Sequence, residues 1–158
     1  MPIIALAALA PLLAPEARLL GLDVGKKTIG LALSDVRRTV ASPMETIDRT
    51  KLAADIARIR TVVAQQNVGG LVAGLPVSMD GTEGPRCQSV RQFAADLTRA
   101  IDLPLAFFDE RLSTAAVERL LIDEADMSRK RRDEVIDKMA AAYILQGALD
   151  LLAAFQSP

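Results

Sequence analysis

The chain has 158 residues, of which 51% are hydrophobic and 25% charged, so it can bury a core and is too apolar to be disordered. It has no histidine and one cysteine, Cys87, which excludes Ser-His-Asp and Cys-His catalytic sites, His/Cys zinc sites and an intrachain disulfide. Because the net charge is −1, a nucleic-acid partner has to be inferred from local basic clusters.

The N-terminal segment is apolar, and residues 1–15 carry no charge. This pattern is shared by signal peptides, but the segment lacks a basic start, is shorter than the roughly 20 residues of a membrane span, and contains Pro11 and Pro15. We therefore expect residues 1–17 to form an extension, with a helical turn or two, that packs on a single domain spanning residues 18–158. A cytoplasmic protein without a membrane partner is expected, and the lone cysteine fits a reducing compartment.

The first predicted elements are two apolar strands, Arg18–Val24 and Thr28–Ser34. The connection Gly25-Lys26-Lys27 is so short that the two strands must pair antiparallel. Ser42–Ile47 is predicted to be a short third strand.

After the third strand, helical spacing alternates with short apolar runs that are typical of strands buried on both faces. The predicted elements are a helix over Lys51–Gln66, a strand over Gly70–Leu75, a helix over Arg86–Ala100, a strand over Pro104–Phe108, a helix from Ser113 or Thr114 to Ile122, and a helix over Asp133–Phe155. This order predicts an α/β fold with a mixed sheet and helices on both faces.

Three acidic residues are candidates for a functional site. Asp23 lies inside an apolar strand, where a lone carboxylate is costly unless it protonates, finds a partner or holds a metal. Glu110 follows a predicted strand at its carboxyl end, the edge of an open α/β sheet where ligands bind. Asp137 lies on the long helix, one position off the buried stripe. Each of these acids could instead be an ordinary charged residue paired with Lys or Arg. For Glu110 and Asp137 the spacing does not decide between the two interpretations. For Asp23 the position inside an apolar strand favours a functional role.

Such a carboxylate set supports metal-assisted phosphoryl transfer. Hard oxygen ligands suit Mg²⁺ or Mn²⁺. Two ions about 3.5–4 Å apart can activate a water and stabilise the leaving oxygen. Because a metal lowers the pKa of its own water, this chemistry does not require histidine.

Four stretches of the sequence resemble the motifs of the YqgF family, whose members are described as pre-16S rRNA nucleases and as Holliday-junction-resolvase-like proteins. The stretches are Leu22–Asp35, Gly74–Gly84, Phe108–Thr114 and Asp137–Gln146, in that order within residues 19–150. One departure is Thr28, which stands where the family often has Arg.

The resemblance implies an RNase H-like fold with a five-stranded sheet of order 3-2-1-4-5, in which strand 2 is antiparallel. By motif position it implies that Asp23, Glu110 and Asp137 are the catalytic, metal-binding triad. The implied activity is that of a metal-dependent endonuclease, a hydrolase that matures the 5′ end of pre-16S rRNA in ribosome biogenesis. A Holliday junction resolvase that acts on branched DNA is the alternative.

Basic residues near these acids are candidates for substrate contacts. Lys26 and Lys27 follow Asp23 and are placed to reach a phosphate, and Arg111 either pairs with Asp109 or contacts substrate. The strongest basic cluster precedes Asp137 and is predicted to guide a phosphate backbone. It consists of Arg129, Lys130, Arg131 and Arg132. The loop Gly74–Gly84 either approaches a phosphate through its glycines or is only a flexible turn.

Two further functions stay open at this point. Asp23-Val24-Gly25 followed by Gly30 also resembles the first phosphate loop of actin- and sugar-kinase-like ATP-binding modules, although those proteins use two such domains. The other is a non-catalytic partner in ribosome or transcription work, with a vestigial site. A homodimer would suit an enzyme that acts on two strands or a folded RNA.

Overall fold

A six-stranded sheet organises the chain in the computed structural model, which describes residues 3–112 and 129–156 and, in the second range, side chains from 138 onward. Its strands are β1 (Ile3–Ile4), β2 (Arg18–Val24), β3 (Thr28–Ser34), β4 (Ala41–Asp48), β5 (Val68–Leu75) and β6 (Leu105–Asp109). The order across the sheet is β1-β6-β5-β2-β3-β4.

The pairing confirms the predicted mixed α/β sheet. β2 and β3 are antiparallel, as their short turn requires, and β3 and β4 are antiparallel as well. β2, β5 and β6 are parallel, so their carboxyl ends lie at one edge of the sheet. Counted from Arg18, the strands follow the expected order 3-2-1-4-5.

The N-terminal extension adds a strand that the sequence analysis missed, so the expectation of five strands is wrong by one. Ile3 and Ile4 pair parallel with β6 and cover what would otherwise be an open sheet edge. Two 3-10 turns follow, Leu6–Ala8 and Ala10–Leu12, and Leu9 between them is fully buried. Through these contacts the extension packs on the sheet, with more backbone pairing than its Ala- and Leu-rich sequence indicated.

Helices cover both faces of the sheet. Helices α1 (Leu52–Gln65) and α2 (Pro85–Ala100) share one apolar core with the even-numbered side chains of β2, and α3 (Arg129–Gln156) shares the other core with the odd-numbered ones. A 3-10 turn, Glu110–Leu112, follows β6. The helix predicted from Ser113 or Thr114 to Ile122 lies outside the described residues.

Helix α1 buries Ile56, Ile59 and Val62, but its first turn departs from an apolar stripe. Leu52 is exposed, and Asp55 is buried instead. The Asp55 carboxylate accepts a hydrogen bond from the backbone N–H of Thr50 (3.2 Å) and lies 3.8 Å from the Arg49 Nε. These polar contacts at the helix start offset the cost of burying the charge.

Helix α3 packs very closely on the sheet because glycines lie at the contact. A Cβ added at Gly21 of β2 would lie 2.7 Å from the Leu145 Cβ, and one at Gly147 would lie 2.5 Å from the Phe108 ring. By length and composition alone, Lys138–Gln156 would suffice to cross a membrane. Its side chains at Ala141, Ile144, Leu145 and Ala148 are fully buried against the sheet, as in a core helix.

We expect Gly21→Ala to destabilise the fold. The added methyl group would meet a Cβ and the Ala141 carbonyl oxygen, neither of which can move without shifting α3, so the free energy of unfolding should fall by about 1–3 kcal/mol. Gly84→Ser is the matched control, because a Cβ there meets nothing within 4 Å, and it should stay within about 0.5 kcal/mol of the wild type. Chemical denaturation measures both. Equal stability of the two variants would contradict the close packing.

Candidate functional site

Asp23 is a buried carboxylate near the carboxyl end of β2, with 6% of its surface exposed. Side chains alternate along a strand, and Gly21, two residues earlier, faces Leu145 of α3. Asp23 therefore faces the α3 side of the sheet. The strand is apolar on both faces because helices cover both, and the carboxylate is an exception within it.

Glu110 reaches the same side of the sheet at the same edge. The register pairs Leu22 with Ala73, which places Gly74 of β5 level with Asp23. A Cβ added at Gly74 would lie 3.1 Å from the Glu110 Cγ and 2.5 Å from the Ile144 Cδ1. The absent side chain at Gly74 thus leaves the space into which Glu110 extends. Asp23 and Glu110 lie on either side of this glycine, at the carboxyl edge of three parallel strands.

Asp137 belongs to α3, seven residues before Ile144, and its side chain lies outside the described residues. Seven residues are two helical turns, so this position lies about 10 Å along α3 from the residue that approaches Gly74. The side chains of Arg129, Lys130, Arg131 and Arg132 are outside the described part as well. Among the described residues, no three His, Cys, Asp or Glu side chains form a metal-binding group.

The donor chemistry at this edge fits a hard divalent cation. Both described acids offer only oxygen atoms, which suit Mg²⁺ or Mn²⁺ and not the softer ions that prefer thiolate or imidazole. One of them is held in a buried strand, where its geometry is fixed by the sheet. The third predicted ligand, Asp137, would have to complete the set from the helix.

Arg111 forms an ion pair with Asp109, which was one of the two roles predicted for this arginine. Its Nε donates to the Asp109 Oδ1 at 3.1 Å and its Nη2 to the Oδ2 at 2.6 Å. Its Nη1 donates to the Met79 carbonyl at 3.5 Å. The pair holds the pKa of the Asp109 carboxyl below its usual range. The two residues of the pair flank Glu110 in the sequence. The bond from Arg111 to the Met79 carbonyl connects the end of β6 to the loop after β5.

That loop, residues 76–84, is a hydrogen-bonded turn. Asp80 accepts from the Thr82 N–H (3.0 Å) and hydroxyl (2.7 Å), and Gly81 takes a positive φ of 88°. Glu83 accepts two hydrogen bonds from Arg91, whose guanidinium lies 5.1 Å from the centre of the Phe107 ring. These bonds define the conformation of the loop, and its approach to a phosphate through the glycines stays a prediction.

Arg49 is a residue at this edge that sequence reasoning missed. Its Nη1 donates to the Gly25 carbonyl at 2.6 Å, and its backbone N–H donates to the Lys27 carbonyl at 2.8 Å. It therefore holds the turn that follows Asp23, and leaves Lys26 and Lys27 exposed on it. The contact spans more than twenty residues, so no local pattern could have indicated it.

Cys87 lies beneath the loop and has the properties of an inert thiol. It is fully buried, and its Sγ donates to the Pro76 carbonyl at 3.2 Å. Burial raises the pKa of the thiol, with a contribution from Glu83. A raised pKa disfavours the reactive thiolate, as expected for a chain that has no histidine to activate it.

The family of the chain follows from comparison with known proteins. A family described as "RuvX: Holliday junction resolvase" matches residues 17–151, which is most of the chain. The chain belongs to the RuvX family. This match confirms the resemblance that the four motifs indicated.

Curated relatives of this RuvX-family chain carry the name "Putative pre-16S rRNA nuclease". The protein of Paramagnetospirillum magneticum is 64% identical over 155 residues, covering 98% of this chain and 99% of that protein. The protein of Rhodospirillum rubrum is 55% identical over 152 residues, covering 96% and 94%.

Solved structures confirm the RNase H-like resolvase fold of this RuvX-family chain. RuvC of T. thermophilus in complex with a Holliday junction superimposes with a TM-score of 0.57 at 13% identity, over 88% of this chain and 97% of RuvC. The yeast mitochondrial Holliday junction resolvase Ydc2 gives a TM-score of 0.54 at 15% identity, over 91% and 82%. At such low identity these structures establish the fold alone.

We expect Arg111→Ala to remove a pH-dependent part of the stability. The pKa of Asp109 is lowered in the folded chain, so its ion pair stabilises above the ordinary carboxyl pKa of about 3.9 and is lost as the pH falls below it. The difference in unfolding free energy between wild type and variant should be present at neutral pH and shrink near pH 3. NMR titration should show the Asp109 pKa rising toward its ordinary value.

Arg60→Ala is the control for this experiment. Arg60 is an exposed arginine that donates to the Ala100 carbonyl at 2.9 Å, a group that does not titrate. Its effect on stability should not vary between pH 7 and pH 3. An Arg111→Ala effect that is equally independent of pH would show that the Asp109 pair contributes nothing to the fold.

Proposed function

We propose that the chain is a metal-dependent nuclease that hydrolyses phosphodiester bonds with Asp23, Glu110 and Asp137 as its catalytic and metal-binding residues. The observation that carries the proposal is the placement of Asp23 and Glu110 on either side of Gly74, at the carboxyl edge of β2, β5 and β6. Ligands of open α/β sheets bind at this edge. Membership of the RuvX family and the names of the relatives support the same activity.

Each residue of the proposed site would have a separate role in hydrolysis. Bound Mg²⁺ or Mn²⁺ supplies Lewis acidity toward the scissile phosphate and the attacking water. Asp23 holds its position through the sheet, in a site shielded from solvent where electrostatic attraction is stronger than in water. Glu110 comes from the turn after β6, which the Arg111–Asp109 pair fixes. Lys26 and Lys27, exposed beside Asp23, hold phosphates of the substrate.

The substrate that fits best is the precursor of 16S rRNA, cut at its 5′ end in the cytoplasm during ribosome biogenesis. This choice rests on relatives up to 64% identical that share nearly the full length of the chain. Branched DNA is the second candidate, because the family description and the solved neighbours are those of Holliday junction resolvases. Residues 18–158 would form the nuclease domain, and two copies would suit a two-stranded substrate.

Incubation with each substrate separates the two candidates. Precursor 16S rRNA and a four-way DNA junction are incubated with the chain in the presence of Mg²⁺, Mn²⁺ or a chelator. We expect cleavage of the precursor RNA that the chelator abolishes. Cleavage of the junction alone would favour the resolvase. If neither substrate is cut and calorimetry detects ATP binding, the ATP-binding module is favoured. If neither substrate is cut and ATP does not bind, a vestigial site is favoured.

We expect Asp23→Asn to abolish metal-dependent cleavage and to leave the melting temperature equal or higher. The amide removes a negative charge from a site where clustered carboxylates repel one another without metal. Cleavage assays and differential scanning calorimetry measure the two effects. Asp102→Asn, an exposed position before β6 at the opposite edge, is the control and should keep full activity. A large drop in the melting temperature of Asp23→Asn without metal would make Asp23 a structural partner.

A further inference from the structure

A groove of about 760 Å³ opens on the side of the sheet opposite to the Asp23 side chain. It runs between the turn that follows β2, the start of α1 and the part of α2 from Pro85 to Asp96. Its wall begins at Val24, the residue after Asp23, and continues through Gly25 and Lys26. The groove is therefore separated from the proposed cleavage site only by the end of one strand.

The charge of the groove is positive although the chain as a whole is slightly acidic. Lys26 and Arg86 are exposed on its wall. Arg49 is part of the wall as well, and the Asp55 carboxylate lies 3.8 Å from its Nε. The one acid among the lining residues, Asp96, pairs with Arg99 at 2.6 Å. With an overall net charge of −1, this local excess of cations is a feature of the groove and not of the general surface.

The groove presents polar groups from a rigid frame. Arg49 is held by the Gly25 carbonyl and by the Phe93 ring, whose centre lies 5.2 Å from the guanidinium carbon. Ser89 and Gln92, exposed on successive turns of α2, add neutral hydrogen-bonding groups. Cations and neutral donors along an open channel are what proteins use to hold a phosphate backbone without reading its sequence.

We propose that this groove binds a single strand of the nucleic-acid substrate, as the continuation of the strand that is cut at Asp23. The inference rests on the proposed nuclease function and extends it to the class of substrate. The substrate has a flank, a stretch of unpaired nucleic acid next to the scissile bond, that the enzyme needs. The volume lies within the range of small-ligand sites and suits a few unpaired nucleotides. Lys26, on the turn between site and groove, contacts the phosphate that passes from one to the other.

Binding by the inactive Asp23→Asn chain tests the groove without cleavage. The probe is a fluorescein-labelled oligouridylate of about 12 nucleotides, measured by anisotropy at several salt concentrations, with the DNA equivalent alongside. Introducing Arg86→Gln into the Asp23→Asn chain should weaken binding about fivefold and reduce the slope of log affinity against log salt by about one. The matched control is Arg37→Gln, an exposed arginine in the turn between β3 and β4, which should leave affinity and slope unchanged.

Cleavage by the active chain tests whether the enzyme needs a single-stranded flank next to the scissile bond. With a substrate that has a long single-stranded flank, Arg86→Gln should raise KM about fivefold and leave kcat within twofold. Shortening the flank stepwise on the 5′ side, and separately on the 3′ side, should abolish the difference between wild type and Arg86→Gln on one side only. A merely structural role of Arg86 would lower activity equally at every flank length.

The two proposals fail in distinguishable ways. If the wild type cleaves with metal but Arg86→Gln matches Arg37→Gln in affinity, salt slope and KM, the groove is not a strand site and the nuclease function stands. If the wild type cleaves nothing while the Asp23→Asn chain still binds the oligonucleotide through Arg86, the nuclease function falls and the groove stands as a binding site. Absence of both cleavage and binding overturns both.

Discussion

The site depends on the close approach of one helix to the sheet. Helix α3 crosses β2 and β5 where Gly21 and Gly74 have no side chains, and the same absence at Gly74 leaves space for Glu110 beside Asp23. A larger residue at either position would push the helix outward or fill the space between the two acids. The packing of the core and the proposed chemistry therefore use the same two glycines.

Around this crossing, the chain fixes its loops with arginines that bridge distant segments. Arg111 connects the end of β6 to the loop after β5, Arg91 ties that loop to α2 and β6, and Arg49 holds the turn after β2. Each guanidinium bonds a carboxylate or a carbonyl, and two of them also stack on a phenylalanine ring. In a chain without histidine or tryptophan, arginine carries out most of this positioning at the carboxyl edge.

Much of the fold could be predicted because the signals are local. The bounds of β2 and β3 follow from apolar runs around a three-residue turn, and the buried Asp23 was evident as a charge inside such a run. The features that were missed depend on contacts between distant segments. The pairing of Ile3–Ile4 with β6, the burial of Asp55 in place of Leu52, and the bond from Arg49 to Gly25 have no periodic pattern in the sequence. Similarly, the position of Gly74 level with Asp23 requires the register of β5, which only the folded sheet supplies.

The central claim is that the acids at the carboxyl edge hold a divalent cation together. Anomalous scattering from crystals of the chain soaked in Mn²⁺ tests it most directly, because it locates the ion independently of activity. The account predicts a manganese peak at about 2.0–2.2 Å from carboxylate oxygens of both Asp23 and Glu110, and loss of this peak in Asp23→Asn. Manganese bound elsewhere, or no peak at this edge at millimolar metal, would contradict it.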